Sequence, residues 1–304
     1  MLDLAGPLQT FHDANACGAD FELSLTATAA RVDTAQLLSV AALPSLLRNV
    51  NSRDLIMVPG RDLNAGPAPT ALTRWLRGAV DANAHVCGIC TGAFVLGEAG
   101  LLDRRTCTTH WKRLDELRRR FPSARPAKDR LFVTDGSITT SAGVASGIDV
   151  ALWFVERQYG PLLTSRVARE MVVYVRRDGH HKQDSVYLDY RTHVNSAIHT
   201  VQDYLIANPA SSLHIRDLAR MARMSPRTLT RQFLAATGLT IVAFRTKVRL
   251  ESAQSLLGNP NLTLDAVASM CGFNDPRHFR REWRRHFGSP ASQSRLAHRA
   301  GKPA

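Results

Sequence analysis

The chain has 304 residues, 44% of them hydrophobic, which suits two ordinary domains and excludes a disordered tail; no apolar run nears the ~18–20 residues of a membrane span, and no signal peptide is visible. Five cysteines, of which only Cys87 and Cys90 are closely spaced, exclude a disulfide framework and fit a reducing cytoplasm. Of the net charge of +13, residues 191–304 carry 17 Lys and Arg against 6 Asp and Glu (+11), and the rest carry 22 against 20 (+2), so one basic third points to a polyanionic partner.

From residue 20 to residue 160, strand-like and helix-like stretches alternate. Phe21–Ala27 alternates as a strand does, and Asp54–Val58 is a short apolar strand closed by Pro59-Gly60. Thr70–Asn83 places Leu72, Leu76 and Val80 on one helical side. Ala84–Ile89 reads as a strand that runs into a helix over Thr91–Ala99. Leu131–Val133 and Ser137–Thr140 flank Asp135-Gly136, a hairpin signal, and Gly147–Gln158 reads as a long apolar helix. Arg118-Arg119-Arg120 closes a helix, where cations complement the dipole. The alternation predicts an α/β domain with a mainly parallel sheet. The polar stretch Arg176–Tyr190 reads as a linker, with His180-His181 solvated in it. Beyond it the pattern is helical: Val194–Ala207, Ile215–Ala222, Pro226–Thr237, Ile241–Leu257, Leu264–Met270 and Pro276–Phe287.

The C-terminal third repeats itself. Leu218-Ala219, Ser225-Pro226-Arg227, Leu229, Phe233 and Gly238 recur as Val267-Ala268, Asp275-Pro276-Arg277, Phe279, Trp283 and Gly288. Each unit is a short helix, a tight turn and a longer helix. Ser225 and Asp275 are N-caps, Pro226 and Pro276 take the first helical position, and Gly238 and Gly288 can end each helix in the left-handed conformation. Leu229 with Phe233, and Phe279 with Trp283 and Phe287, form buried stripes. The opposite faces carry Arg227, Thr230 and Arg231 in one helix and Arg277, His278, Arg280, Arg281 and Arg284 in the other. An α-helix fits the major groove, and arginine can bond both acceptors of a guanine edge. Two such helices on one body can occupy successive groove segments. A helical bundle with solvated arginine faces is the plainer alternative.

This arrangement resembles the DNA-binding domain of the AraC/XylS family over roughly Val194–Ala297, most specifically in Leu264–Phe279 and in Phe287-Gly288-Ser289-Pro290. The resemblance implies seven helices, with Ile241–Leu257 joining the two units. It implies base contacts at Arg227, Thr230, Arg231, Arg277, His278 and Arg281. Ala291-Ser-Gln-Ser-Arg295 departs from the family, which usually has an aromatic before that arginine; packing of the last helix should feel this more than DNA reading.

In the N-terminal part, Val86-Cys87-Gly88-Ile89-Cys90-Thr91-Gly92 is a strand, an elbow and a helix start. A cysteine at a helix N-terminus is expected to have a lowered thiol pKa, and His110 could serve as its base. A small buried cysteine is the alternative. Cys87-Gly-Ile-Cys90 also has dithiol spacing, but Cys87 should point away from the elbow. No second close pair completes a zinc site, and no Walker-type loop is present, so no metal or cofactor is expected.

This stretch resembles the class I glutamine-amidotransferase-like superfamily of the PfpI type over roughly residues 3–160. The likeness lies in Leu2-Asp-Leu-Ala-Gly-Pro7, Val58-Pro-Gly60, the elbow, Gly100-Leu-Leu-Asp-Arg104, Thr109-His-Trp111, Thr140-Ser-Ala-Gly143 and Gly147-Ile-Asp149. It implies a doubly wound, flavodoxin-like sheet and a pocket lined by Cys90, His110 and Asp3. In the family an apolar strand precedes the first of these motifs. Here Met1 stands two residues before Asp3, which implies a sheet lacking its first strand, through a start placed too late or a shortened chain.

The expected organisation is a sensing and dimerisation domain over 1–175, a linker over 176–193 and a tandem helix-turn-helix domain over 194–304. The function expected is a cytoplasmic, homodimeric transcription regulator, an activator, that binds double-stranded DNA and no membrane. Its effector would be a small nitrogen-containing metabolite, a class implied by the resemblance alone. The alternatives are a cysteine-dependent hydrolase or amidase carrying a DNA-binding domain, and a nonspecific architectural DNA binder.

Overall fold

The computed structural model describes residues 1–128, 130–173, 177, 179, 183, 190–191, 193–259 and 261–300, with side chains through 295. It divides into two compact units, Met1–Gln183 and Asp184–Ala304. The division falls within the stretch read as a linker, most of which, His180-His181 included, lies outside the described residues.

The N-terminal unit is built on a four-stranded sheet. In chain order its elements are α1 (Leu2–Ala16), β1 (Arg31–Asp33), β2 (Ser39–Ala41), β3 (Leu55–Val58), α2 (Thr70–Asp81), β4 (His85–Ile89), α3 (Gly92–Glu98), β5 (Thr106–Cys107), α4 (Leu114–Arg120), β6 (Arg125–Pro126), β7 (Phe132–Asp135), β8 (Ile138–Ser141) and α5 (Ser146–Glu170). The strand order is β3-β4-β8-β7. The first three run parallel, and β7 returns antiparallel through a turn at Gly136. Met57 pairs with Cys87, and Cys87 with Thr139. Among the described residues β3 is paired on one side only.

Burial on both faces explains the apolar strands. Val58, Val86 and Ile138 pack with Leu76 of α2, Phe94 of α3 and Leu117 of α4. On the other face Cys87 and Ile89 pack with Val150 and Trp153 of α5, and α1 lies along α5. Cys87 is fully buried there, pointing into the core and not toward the elbow. The helix α5 is kinked at Gly160, which precedes Pro161.

Two stretches differ from the sequence reading. Residues 2–16 form a helix that Pro7 and weak amphipathicity conceal; a Cβ on Gly6 would come within 2.9 Å of Ile148, so the helix needs a small residue to pack on α5. Phe21–Ala27, expected as a strand, forms none. The Asn15 side chain accepts from the Phe21 N–H and donates to its carbonyl, both at 2.7 Å, and the ring packs edge-on against Phe11 and Tyr159. At Phe21 both backbone groups that a sheet partner would use are thus taken, and the Ala27 N–H donates to the Pro44 carbonyl at 3.1 Å.

His85 opens β4 with Nε2 2.8 Å from the Thr139 hydroxyl and Phe154 edge-on to its ring. Burial, and then the charge of Arg157, pushes its pKa from 6.5 down to about 4. The unfolded chain therefore takes up this proton at a higher pH than the folded one. Stability should fall as the pH drops from 6.5 toward about 4. His85→Gln should flatten that part of the curve of thermal midpoint against pH; an unchanged slope would remove His85 as the cause.

The C-terminal unit is helical: α6 (Ser196–Ala207), α7 (Ile215–Met221), α8 (Pro226–Thr237), α9 (Ile241–Leu257), α10 (Leu264–Met270), α11 (Pro276–Phe287) and α12 (Ala291–Ala300). It has two cores. Ile198, Leu205, Leu218, Leu229 and Phe233 pack with Phe244 and Val248 from the first half of α9. Val267, Cys271, Phe279 and Trp283 pack with Leu250, Ala253 and Leu257 from its second half.

Candidate functional site

The two longer helices of the repeat, α8 and α11, are built alike. Ser225 Oγ accepts from the Thr228 N–H at 3.2 Å, and the Asp275 carboxylate accepts from Arg277 N–H at 2.9 Å and His278 N–H at 3.2 Å. Those amides hold the Asp275 carboxyl below the ordinary carboxylate range. Pro226 and Pro276 follow the caps, and Gly238 and Gly288 end the helices at φ 69° and 75°, which only glycine adopts without strain. Ser225→Ala should lower the thermal midpoint of the C-terminal unit by the equivalent of about 1 kcal/mol; a midpoint equal to that of the parent would show that the cap is dispensable.

The caps fix which way each helix faces. Leu229, Phe233, Phe279 and Trp283 are fully buried. Arg227, Thr230 and Arg231 of α8, and Arg277, Arg280, Arg281 and Arg284 of α11, are exposed, while His278 is half-buried against Phe273. Not all of them are equally available. Arg280 reaches back to Asp265 of α10 at 2.6 Å, Arg281 lies 3.5 Å from Glu282, and His278 lies 3.8 Å from that same carboxylate. The Thr230 hydroxyl donates to the Pro226 carbonyl, which leaves its methyl group and a lone pair for a partner. Arg285, absent from the sequence reading, is exposed one turn beyond Arg281. With Arg280, Arg281 and Arg284 it lines a groove of about 720 Å³ that Leu264 and the start of α12 complete. Its signal was the four-residue spacing.

The two faces are in register but unequal. Where α11 has Arg284 and Arg285, α8 has Leu234 and Ala235, all four exposed. Of the two longer helices, α11 therefore carries five arginines and α8 two.

In the N-terminal unit, Cys90 sits between β4 and α3 at φ 56°, the strained elbow that a sharp strand-to-helix turn produces. Its N–H donates to the Ser141 carbonyl at 3.0 Å. Asp3 from α1 accepts from the Gly60 N–H at 3.1 Å. A Cβ on Gly143 would stand 3.0 Å from the Cys90 Sγ and 3.4 Å from His110, so the cysteine, the histidine and this loop meet closely. The structure therefore brings Asp3, Cys90 and His110 to one place.

Their protonation differs from the sequence reading. Burial, then the Asp3 carboxylate, pushes the Cys90 thiol above its ordinary value and outweighs the Thr91 and Val144 amides that lower it. Burial likewise raises Asp3. His110 is lowered by burial and by Lys112 and Arg113, and its Nδ1 accepts from the Lys112 N–H at 3.3 Å. Among the described residues no hydrogen bond joins Cys90 to His110. The arrangement presents a neutral thiol, a carboxyl group and a neutral imidazole beside the exposed ring of Trp111, which suits binding better than nucleophilic attack. Among the described residues no group of three or more His, Cys, Asp or Glu could hold a metal ion, and no helix is long and apolar enough to cross a membrane.

A helix-turn-helix domain model matches residues 218–297, and a DJ-1/PfpI family model matches residues 16–157. The HTH-type transcriptional regulator CdhR of Pseudomonas aeruginosa is 31% identical over 226 residues, covering 74% of this chain and 67% of that protein. The HTH-type transcriptional regulator GbdR of Pseudomonas aeruginosa is 30% identical over 216 residues, covering 71% and 58%. The isonitrile hydratase of Pseudomonas putida is 38% identical over 113 residues, covering 35% and 46%. The chain spans 58% to 67% of the length of the two regulators.

Proposed function

The chain belongs to the AraC-type helix-turn-helix regulators that carry a DJ-1/PfpI domain, and from that premise we propose that it reads specific double-stranded DNA sequences and activates transcription in response to a small metabolite. The observation that carries this reading is the pair of capped helices with their arginine faces in matching register. Arg227, Thr230 and Arg231 would read bases from the first helix, and Arg277, His278 and Arg281 from the second. Arg280 would share its guanidinium between Asp265 and a phosphate, and Arg284 would hold the backbone. The N-terminal unit would sense a nitrogen-containing metabolite at Asp3, Cys90 and His110 and would join two copies into a cytoplasmic homodimer. Selection of bound sequences from a random DNA pool by the full chain tests the first claim. A recovered consensus supports it, and a pool without preference would leave only an architectural binder.

The elbow and the likeness to a hydratase favour a second reading, a cysteine-dependent hydrolase. Cys90→Ser separates the two. Response to effector that survives the substitution assigns a binding pocket, whereas turnover or a covalent adduct that vanishes with it assigns catalysis.

A further inference from the structure

Beyond α5, Gln183 is fastened to the loops around Thr109 and Arg130, and Arg177 to Asp149 in the first turn of α5. We propose that the connecting stretch reads the elbow through these two residues: filling the space at the cysteine loosens Gln183 and Arg177. The inference rests on the sensing role given above to the N-terminal unit.

The first fastening is Gln183. Its Nε2 donates to the Thr109 carbonyl at 2.9 Å, the Arg130 carbonyl at 3.0 Å and the Thr108 hydroxyl at 3.1 Å. Thr109 is fully buried, and its hydroxyl donates to the Cys90 carbonyl at 2.7 Å. One residue therefore links Gln183 to the elbow, and that residue precedes His110. Gln183 Oε1 is buried without a partner among the described residues. Among the described residues the amide is thus held from its donor side, through three hydrogen bonds.

The second fastening is Arg177. Its Nη2 donates to the buried Asp149 carboxylate at 2.6 Å, and its own N–H to the same group at 3.2 Å. Asp149 lies in the first turn of α5, three residues after Ser146. The Ser146 hydroxyl accepts from the Gly143 N–H and donates to the Gly143 carbonyl, both at 2.8 Å. Gly143 is the residue that approaches the Cys90 Sγ. One fastening therefore leads to the loop that approaches that sulfur, and the other to the loop whose Thr109 holds the Cys90 carbonyl. A group seated there must displace one loop or the other, and with it the hold on the chain that runs toward the helix-turn-helix unit. For this to regulate, the occupant must prefer the loosened state.

Linkage makes the coupling reciprocal at equilibrium, and a reagent that enters only the loosened state reacts at a rate set by that state's population, so the coupling can be tested without the natural effector. The full chain is treated with iodoacetamide, and Cys90 modification is followed by mass spectrometry in wild type, Gln183→Ala and Asp149→Asn, with Cys17 as internal reference. Relative to Cys17, Cys90 should react at least about fivefold faster in both variants, the low end of coupling between linked sites. Equal rates in the three chains, including a Cys90 that stays unmodified in all of them, would overturn the proposal. Wild type supplies a second arm free of any defect caused by the substitutions: tryptic cleavage at Arg177 should accelerate once Cys90 carries the adduct, more than cleavage at Arg31 does, and an unchanged rate counts against the coupling. Neither readout involves DNA, so failure here leaves the DNA-reading proposal standing, and the reverse also holds.

Discussion

Replacing Arg277, Arg281, Arg284 and Arg285 together with alanine should weaken binding to the selected DNA by a factor on the order of 10³ or more at physiological salt, taking about 1 kcal/mol for each contact. The expectation comes from the unequal charge of the two helices: α11 exposes these four guanidinium groups, whereas α8 exposes only Arg227 and Arg231. The single changes should separate by role. Arg281→Ala should cost about 1–3 kcal/mol at one base position and relax the preference there. Arg284→Ala with Arg285→Ala should weaken binding to every sequence alike and make the slope of log affinity against log salt shallower by about 2. Fluorescence anisotropy at four salt concentrations, on the selected duplex and on duplexes changed at single base positions, measures both. A slope that stays the same without Arg284 and Arg285 would show that these side chains do not face phosphates.

Trp283→Ala should destabilise the second half of the C-terminal unit by about 3–5 kcal/mol. The ring is fully buried, 5.5 Å from Phe279 and 4.2 Å from Phe287 between centroids, and it fills the core under α11. Its Nε1 is buried with no acceptor among the described residues. Trp283→Phe should therefore cost clearly less, because it keeps most of the bulk and removes a donor that has no acceptor among the described residues. Urea melting of the full chain, followed by helical ellipticity, gives both values. Equal losses for the two variants would show that bulk matters less here than shape. The first core contains none of these side chains and should melt as it does in the parent.

The helical third was legible because its signals are local. Pro226–Thr237, Ile241–Leu257, Leu264–Met270 and Pro276–Phe287 begin and end where Ser225, Thr240, Thr263, Asp275, Gly238 and Gly288 place them. Each cap side chain bonds an amide within three residues, so a short window contains the whole cause. The N-terminal unit is governed by partners far apart in sequence. The fate of Phe21 depends on Asn15 and Tyr159, and the helix through Pro7 depends on a seat against Ile148. The elbow at Cys90 was visible from its glycines, but the direction of its thiol shift was not. Burial by the folded surroundings raises it most; the second cause, Asp3, stands 87 residues away, and nothing local to Val86–Gly92 announces either.

The sharing of α9 between two cores has a consequence for how the repeat can vary. Phe244 and Val248 serve one core and Leu250, Ala253 and Leu257 the other, and the same rigid rod sets the angle between the two reading heads. One residue inserted at Arg249 would leave each core its own side chains, yet swing one head by about 100° around the rod and push it about 1.5 Å along it. Both halves would remain well folded and yet be out of phase on the duplex. If the two helices read DNA as proposed, the length of that single helix, counted in whole residues, sets which spacing of half-sites the protein can straddle.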